Sequence, residues 1–306
     1  VMRIRALSHK LLRDIAHLRG QFLAVGVVVA SGVALFVALR SMHGFLQDSL
    51  REYYDAYHFA NVFAPLKLAP RTLEPRLASI PGVARADSRL VFDVVLDVPG
   101  LTEPATGRMI SIPDDVQPSL NALHLRVGRW TEPGARGEVL ASDAFAQANA
   151  LNVGDSIGAV LNGRWEWLRI VGIAMSPEYV YEIGGGSIMP DNRRFGVFWM
   201  GRRELSDAYD MESTFNDVSL SLLPGSSEVD VIERVNRLLE PYGGLGAYGR
   251  ADQLSNRFVS SEIEETQVTS ILIPSIFLGV TAFLVNLVMS RLVSTQRDQI
   301  GTLKAF

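Results

Sequence analysis

The stretch FLAVGVVVASGVALFVAL, residues 22–39, carries no charge over 18 residues and is bracketed by Arg19 and Arg40. As a helix it would extend roughly 27 Å, close to the thickness of bilayer hydrocarbon. A second run, ILIPSIFLGVTAFLVNLVM at residues 271–289, is 19 residues long and is interrupted only by Pro274, Ser275, Thr281 and Asn286. A helix in lipid satisfies its own backbone hydrogen bonds, so runs of this kind span. The rival reading of the first run is a cleaved signal peptide, whose apolar region usually covers only ~7–15 residues.

The segment ahead of the first run is itself patterned. Ile4, Leu7, Leu11, Ile15 and Leu18 recur at helical spacing, with Arg3, Arg5, Lys10 and Arg13 mostly between them. That pattern predicts an amphipathic helix over residues 1–20, lying in the inner headgroup layer. The spans are then 21–40 and 271–290, with a folded domain over 41–270 and a short tail over 291–306.

Lysine and arginine bias sets the orientation. Residues 1–20 hold five basic residues and one acid, and residues 290–306 hold Arg291, Arg297 and Lys304 against Asp298. Glu262, Glu264 and Glu265 make the other approach to the second span acidic. Both ends are therefore expected in the cytoplasm, and 41–270 outside. Gly26, Ala30, Ala34 and Ala38 are spaced by four and form a small-residue face, of the kind that lets helix backbones approach closely.

Between the spans the chain reads as an ordinary folded domain. Residues 41–60 and 252–267 are expected to extend the spans as helical stalks. Thr72 is the expected cap of a short helix carrying Leu73, Leu77 and Ile80, stopped by Pro81 and Gly82. Strand character follows over 83–98, 138–140, 156–161, 164–171, 194–200 and 217–223, with a short helix over 143–150. Asn162-Gly163 between apolar alternations is a strong hairpin signal. It puts Trp165 and Trp167 on one face of the second strand. Ser227 and Asp230 resemble a capping box that opens a helix with Val231, Ile232, Val235, Leu238 and Leu239 on one side. Residues 176–196, with Gly184, Gly185 and Gly186, read as a loop or flap. The resulting fold class is an α+β domain with a β-rich insert, between two transmembrane helices.

The sequence offers little chemistry. With no cysteine, thiolate metal sites, disulfides and cysteine nucleophiles are excluded, and His9, His17, His43, His58 and His124 form no metal-binding pair. No phosphate loop or nucleophile elbow is present. The glycine string at Gly244, Gly246 and Gly249 follows a predicted helix rather than a strand, which suits a connector and not a dinucleotide site. Asp114, Asp115, Asp93 and Asp97 read as solvated turn or strand-end acids. The strongly negative outer domain disfavours nucleic acid. No enzyme, metal or cofactor is expected in this chain.

The tail closes with RDQIGTLKAF, residues 297–306. Ile300, Leu303 and Phe306 would form an apolar edge with Arg297, Asp298 and Lys304 solvated, either as a basic membrane stop or as a short helix docking into a partner's groove. This string resembles the segment that follows the second span in FtsX-like (MacB-type) ABC transporter permeases. Asp298 and Gln299 replace the usual lone acid, and the family's final glycine is not reached. Other stretches resemble the outer domain of the same family: 80–83, 128–130, 137–142, 151–155 and 170–173. Residues 176–181 and 194–200 are similar to a branch of large permeases with two such modules.

The resemblance implies a porter-like α+β part with a sabre-like insert near 118–196. It implies four spans per module, so the sequence is expected to be cut short. It also implies that Arg297, Ile300, Gly301, Leu303, Lys304 and Phe306 contact a cytoplasmic ATPase subunit, which would bind ATP and Mg itself. Implied with them are a dimer of modules, membrane lipid as surroundings and a periplasmic protein partner. The substrate class would be lipid, lipoprotein or peptide. A two-span sensor, or a regulator of a cell-wall hydrolase that transports nothing, are the alternatives.

Overall fold

The computed structural model describes residues 19–305 apart from 185 and 188, and leaves out the side chains of residues 21, 22, 25, 292, 293 and 295–305. The amphipathic helix expected over residues 1–20 therefore lies almost wholly outside the described residues. The chain divides into two compact units: the segments up to Ser49 and from Glu262 onward, and Leu50–Ser261.

The first unit is built from two long helices. Helix α1, Arg19–Ala56, contains the first apolar run. The last helix of the chain, Leu254–Ala305, contains the second and continues without a break through the tail. Their apolar side chains face outward: Leu23 is 70% exposed and Phe283 63%. A helix that is apolar all round and unburied is not stable in water, so lipid is the medium that suits it. Hydroxyls in the second run bond back within their own helix, Ser275 to the Ile271 carbonyl at 2.6 Å and Thr281 to that of Phe277 at 2.8 Å. These two hydroxyl hydrogens are thereby satisfied in hydrocarbon.

The second unit holds two sheets. Strand β1 is Val62–Pro70, helix α2 Glu74–Ala78 and strand β2 Val83–Arg89. Later come β10, Thr214–Leu222, helix α5, Glu228–Leu239, and the two-residue β11, Tyr248–Gly249. They form an antiparallel sheet in the order β11-β1-β10-β2. Leu73, Leu77, Val231, Val235 and Leu239 pack with Val218 and Leu220 in one core. Ser227 caps α5 as expected, accepting from the Asp230 N–H at 3.3 Å. Thr72 does not cap α2: a 3-10 turn, Arg71–Leu73, leads in, and Pro75 takes the first turn, where a missing N–H costs nothing.

The second sheet takes strands β3 (Val91–Asp97), β4 (Ala105–Ile112), β5 (His124–Gly128), β6 (Glu138–Ser142), β7 (Ser156–Leu161), β8 (Arg164–Met175) and β9 (Phe195–Gly201). Two short helices accompany it, α3 (Asp143–Ala148) and α4 (Arg202–Ala208). The order is β5-β8-β6-β9-β4-β3-β7, and β7 pairs again with β8, closing a ring of six strands. Strand β8 makes closure possible by its length: Arg164 to Arg169 pair with β7, and its later residues pair with β6 and β5. At the β7–β8 turn Asn162 and Gly163 both adopt positive φ, +47° and +77°, which matches the twist of the flanking strands.

This sheet begins at Val91 and ends at Gly201, so it is wider than the 118–196 insert expected from sequence. Strand β3 pairs with β7, and β4 runs parallel to β9, so the early strands belong to the ring and not to the first sheet. The last helix, Leu254–Ala305, is numbered α6.

Candidate functional site

Two features of the Leu50–Ser261 unit stand out: the place where the long helices are rooted, and a buried charge cluster beside it. At the root of α1, Tyr54, Phe59, Ala60, Phe63 and Leu120 form a small core of their own. His58 leaves the helix at φ +49°, and the N–H groups of Asn121 and Ala122 donate to the carbonyls of His58 and Tyr57. The carbonyls at the helix end itself, of Tyr53, Tyr54 and Asp55, accept from the N–H groups of Tyr57, Phe59 and His58. The Arg250 guanidinium lies 4.9 Å from the Phe59 ring centre and donates to the Ala60 carbonyl at 2.8 Å and to that of Phe59. Burial lowers the pKa of Arg250, opposed by Tyr54, and burial pushes the Tyr54 phenol up to about 12.

The root of α6 is tied into the same place. The Tyr54 hydroxyl donates to Asn256 Oδ1 at 3.0 Å. Asn256 Nδ2 donates to the Arg250 carbonyl at 3.0 Å, and its N–H to Gln253 Oε1 at 2.7 Å. Gln253 Nε2 in turn donates to the Glu178 carbonyl at 2.7 Å. The Tyr181 N–H donates to Ser255 Oγ at 2.8 Å. The two helix roots are therefore hydrogen-bonded to each other, and that of α6 also to the start of the 176–196 loop.

The side chain of Glu178 reaches the other way, into the charge cluster. Arg89 Nη1 and Nη2 donate to its two carboxylate oxygens at 2.6 and 2.7 Å, and Arg89 Nε donates to Asp217 Oδ1 at 2.6 Å. Asn121 Nδ2 adds bonds to Glu178 Oε2 at 3.0 Å and Ser219 Oγ at 3.2 Å. Burial works against the Arg89 charge, but Asp217 and Glu178 outweigh it and hold the guanidinium charged. Burial raises the pKa of Asp217; Arg89 opposes the shift, and the repulsion of Glu178 adds to it, because one cation serves two acids. The cluster joins β2 and β10 of the first sheet to the 176–196 loop.

Sequence reasoning singles out none of Arg89, Glu178, Asp217, Asn121 or Asn256 as a site residue. One signal does exist: Glu178 lies in the 176–181 string that carries part of the family resemblance. The residues that sequence does single out fall elsewhere. Arg297, Ile300, Gly301, Leu303 and Lys304 lie on the continuous backbone of α6, their side chains outside the described residues, and Phe306 lies outside altogether.

On α1, the close approach to α6 is at Gly32, where an added Cβ would come within 2.8 Å of the Phe277 ring. Gly26, Ala30, Ala34 and Ala38 are exposed. At roughly 100° per residue, the centre of that small-residue face points away from Gly32.

The remaining chemical candidates stay apart. Asp93 pairs with Arg108 at 2.8 and 2.9 Å, and Asp114 accepts from the Arg203 N–H at 3.3 Å. The 243–247 glycine segment follows a 3-10 turn and leads into β11, with no helix N-terminus to receive a phosphate. Among the described residues no group of acids and histidines is placed to hold a metal ion.

Two apolar, outward-facing helices, one before and one after an α+β head in the chain, mark a membrane protein whose head lies between two spans. No family model matches the chain, and no curated protein matches it. Among solved structures it is similar to the periplasmic region of MacB from Actinobacillus actinomycetemcomitans, at 10% identity and a TM-score of 0.39, over 71% of this chain and 98% of that one. It is also similar to the extracellular domain of the noncanonic ABC-type transporter YknZ from Gram-positive bacteria. There the identity is 12% and the TM-score 0.39, over 62% of this chain and 98% of the other. A domain of a permease protein from Porphyromonas gingivalis matches at 13% identity and a TM-score of 0.32, over 59% of this chain and 83% of that one.

Proposed function

We propose that this chain is the membrane subunit of an FtsX-like ABC transporter, set in the bacterial inner membrane with its head outside. In this reading it passes work done by a cytoplasmic ATPase to the head. The observation that carries the reading is the continuity of α6. One helix runs from Leu254, beside the residues that bind the 176–196 loop, to Ala305, inside the string that resembles the family's coupling segment. Except at Pro274, which has no N–H to donate, this helix keeps its own hydrogen bonds along its length, which favours transmitting displacement over absorbing it. The basic residues at both chain ends support the orientation.

The ATPase contact would use Ile300, Leu303 and Phe306 as buried apolar groups and Arg297 and Lys304 as charge partners. ATP and Mg would belong to that subunit, and this chain would supply no catalytic group. The head would act on a lipid, lipoprotein or peptide, and two modules would work as a pair. The test is co-purification of the full-length protein with its cognate ATPase. Leu303→Asp buries a lone carboxylate and is expected to abolish both binding and ATPase stimulation. Unchanged binding and stimulation would remove the coupling role.

A further inference from the structure

Beside the charge cluster, within the Leu50–Ser261 unit, lies a cavity of about 180 Å³. Its charged lining is unevenly served. Arg89 is matched twice over, by Glu178 and Asp217. Asp87 is committed to the Ser119 hydroxyl at 2.7 Å and the Leu120 N–H at 2.8 Å. Glu74 accepts from Arg71 Nε at 3.1 Å and from the Ser88 hydroxyl.

Arg202 is the exception. Its hydrogen bonds go to neutral oxygens: Nη1 to the Ser88 carbonyl at 2.5 Å, Nη2 to Ser88 Oγ at 3.2 Å and to the Thr214 carbonyl at 3.3 Å. Its nearest carboxylate, Glu74, stands at 3.9 Å and is already shared. Only 15% of the Arg202 side chain is exposed, so water screens its charge poorly.

The geometry points to a binding site in this cavity for a small monocarboxylate with a short apolar substituent, its carboxylate on Arg202 with Arg71 at the rim. Burial, and then the neighbouring Arg71 charge, lower the pKa of Arg202, as expected of a cation that has room for a counter-ion. Ile110, Ile112, Leu123 and Trp199 supply apolar lining for the substituent. A doubly charged phosphate fits less well, since Glu74, Asp87 and Glu178 line the same space. The volume is slightly above the ~150 Å³ that accommodates a benzene-sized molecule, which limits the ligand to a short acid or the last residue of a peptide.

The site stands whether or not the chain works with an ATPase. It is tested by calorimetric titration of the full-length protein in detergent with valerate, and with an alanine tetrapeptide bearing a free or an amidated C-terminus. Saturable binding of valerate assigns the site to free acids, and binding of the free but not the amidated peptide assigns it to chain ends. Arg202→Gln is expected to weaken the productive probe at least about tenfold, the usual worth of a hydrogen-bonded charge. Because Arg202 also braces Ser88 and Thr214, the half-exposed Arg71→Gln is the second variant, expected to weaken binding by about threefold or more without loss of fold. Absence of saturable binding by any probe, or equal affinity in both folded variants, would overturn the assignment.

Discussion

The hydroxyl of Tyr54, near the end of the first long helix, donates to Asn256 Oδ1, near the start of the last one, at 3.0 Å across 202 residues of chain. The bond is buried, and the phenol pKa of about 12 keeps the proton in place at physiological pH. Replacing Tyr54 by Phe keeps the ring among Phe59 and Leu120 but leaves Asn256 Oδ1 without this donor. The expected loss is about 1–2 kcal/mol, read as a lower thermal midpoint of the full-length protein. In a complex with the proposed ATPase partner, stimulation should fall more than binding, because the contact lies at the head. Equal losses in both would argue for a folding role only.

The Arg89–Glu178 pair should behave as a buried ion pair. Arg89→Met alone leaves Glu178 and Asp217 buried without their cation and should cost about 3–5 kcal/mol. Arg89→Met with Glu178→Leu and Asp217→Asn should recover much of that loss, since no unpaired charge remains. Chemical denaturation of the three proteins distinguishes the outcomes. If the triple variant is no more stable than the single one, packing and not charge decides the site.

Glu182 is expected to make the stability of the head depend on pH. Its carboxyl is buried, accepts from the Ser142 hydroxyl at 2.7 Å and has its pKa pushed up to about 8, chiefly by burial. A raised folded pKa means that the folded state holds a proton the unfolded chain releases. Stability is then full below the ordinary carboxyl range and falls as pH rises toward 8, by about 1.4 kcal/mol per unit from this group. Glu182→Gln is expected to flatten that slope between pH 5 and pH 8, values bracketed roughly by the unfolded and folded pKa. An unchanged slope in the thermal midpoint would show that another group carries it.

The approach of the two long helices at Gly32 predicts a position-specific effect. Gly32→Leu must displace Phe277 and should destabilise the detergent-solubilised protein by about 1–3 kcal/mol, the range for overpacking. A Cβ added at Gly26 meets nothing within 4 Å among the described residues, so Gly26→Leu should be neutral in a single chain. If Gly26→Leu instead reduces a dimeric fraction in gel filtration or crosslinking, the small-residue face is occupied by a helix from elsewhere.

The absence of cysteine makes orientation easy to read. Trp167 is 62% exposed on β8, so Trp167→Cys offers the one reactive thiol within residues 1–306. Membrane-impermeant maleimide should label it in intact spheroplasts. Labelling only after lysis would put the head in the cytosol.

The long helices, the Asn162-Gly163 hairpin and the Ser227 cap are legible in the sequence because each rests on local physics. An uncharged run of bilayer length, two residues that accept positive φ, and a hydroxyl within reach of its own helix need no distant partner. Strand β1 is not legible, because Pro65 and Pro70 argue against a strand. It is tolerated inside the sheet by a register shift between Pro65 and Ala69. Strand β4, with Gly107 and Arg108 in its middle, gives no alternation to read. It exists because β3 and β9 flank it.

By itself the sequence determined a lipid-embedded protein with two spans and an α+β head, since hydropathy, charge bias and turn chemistry act over a few residues at a time. Tertiary structure alone decided that a ring of six strands closes between β3 and β9, that Arg89 meets Glu178 and Asp217, and that Tyr54 meets Asn256. Those side-chain pairings join residues about 90 to 200 positions apart. Long-range contacts of this kind follow from where the whole chain packs, a global balance of burial against chain entropy that no short window of sequence contains.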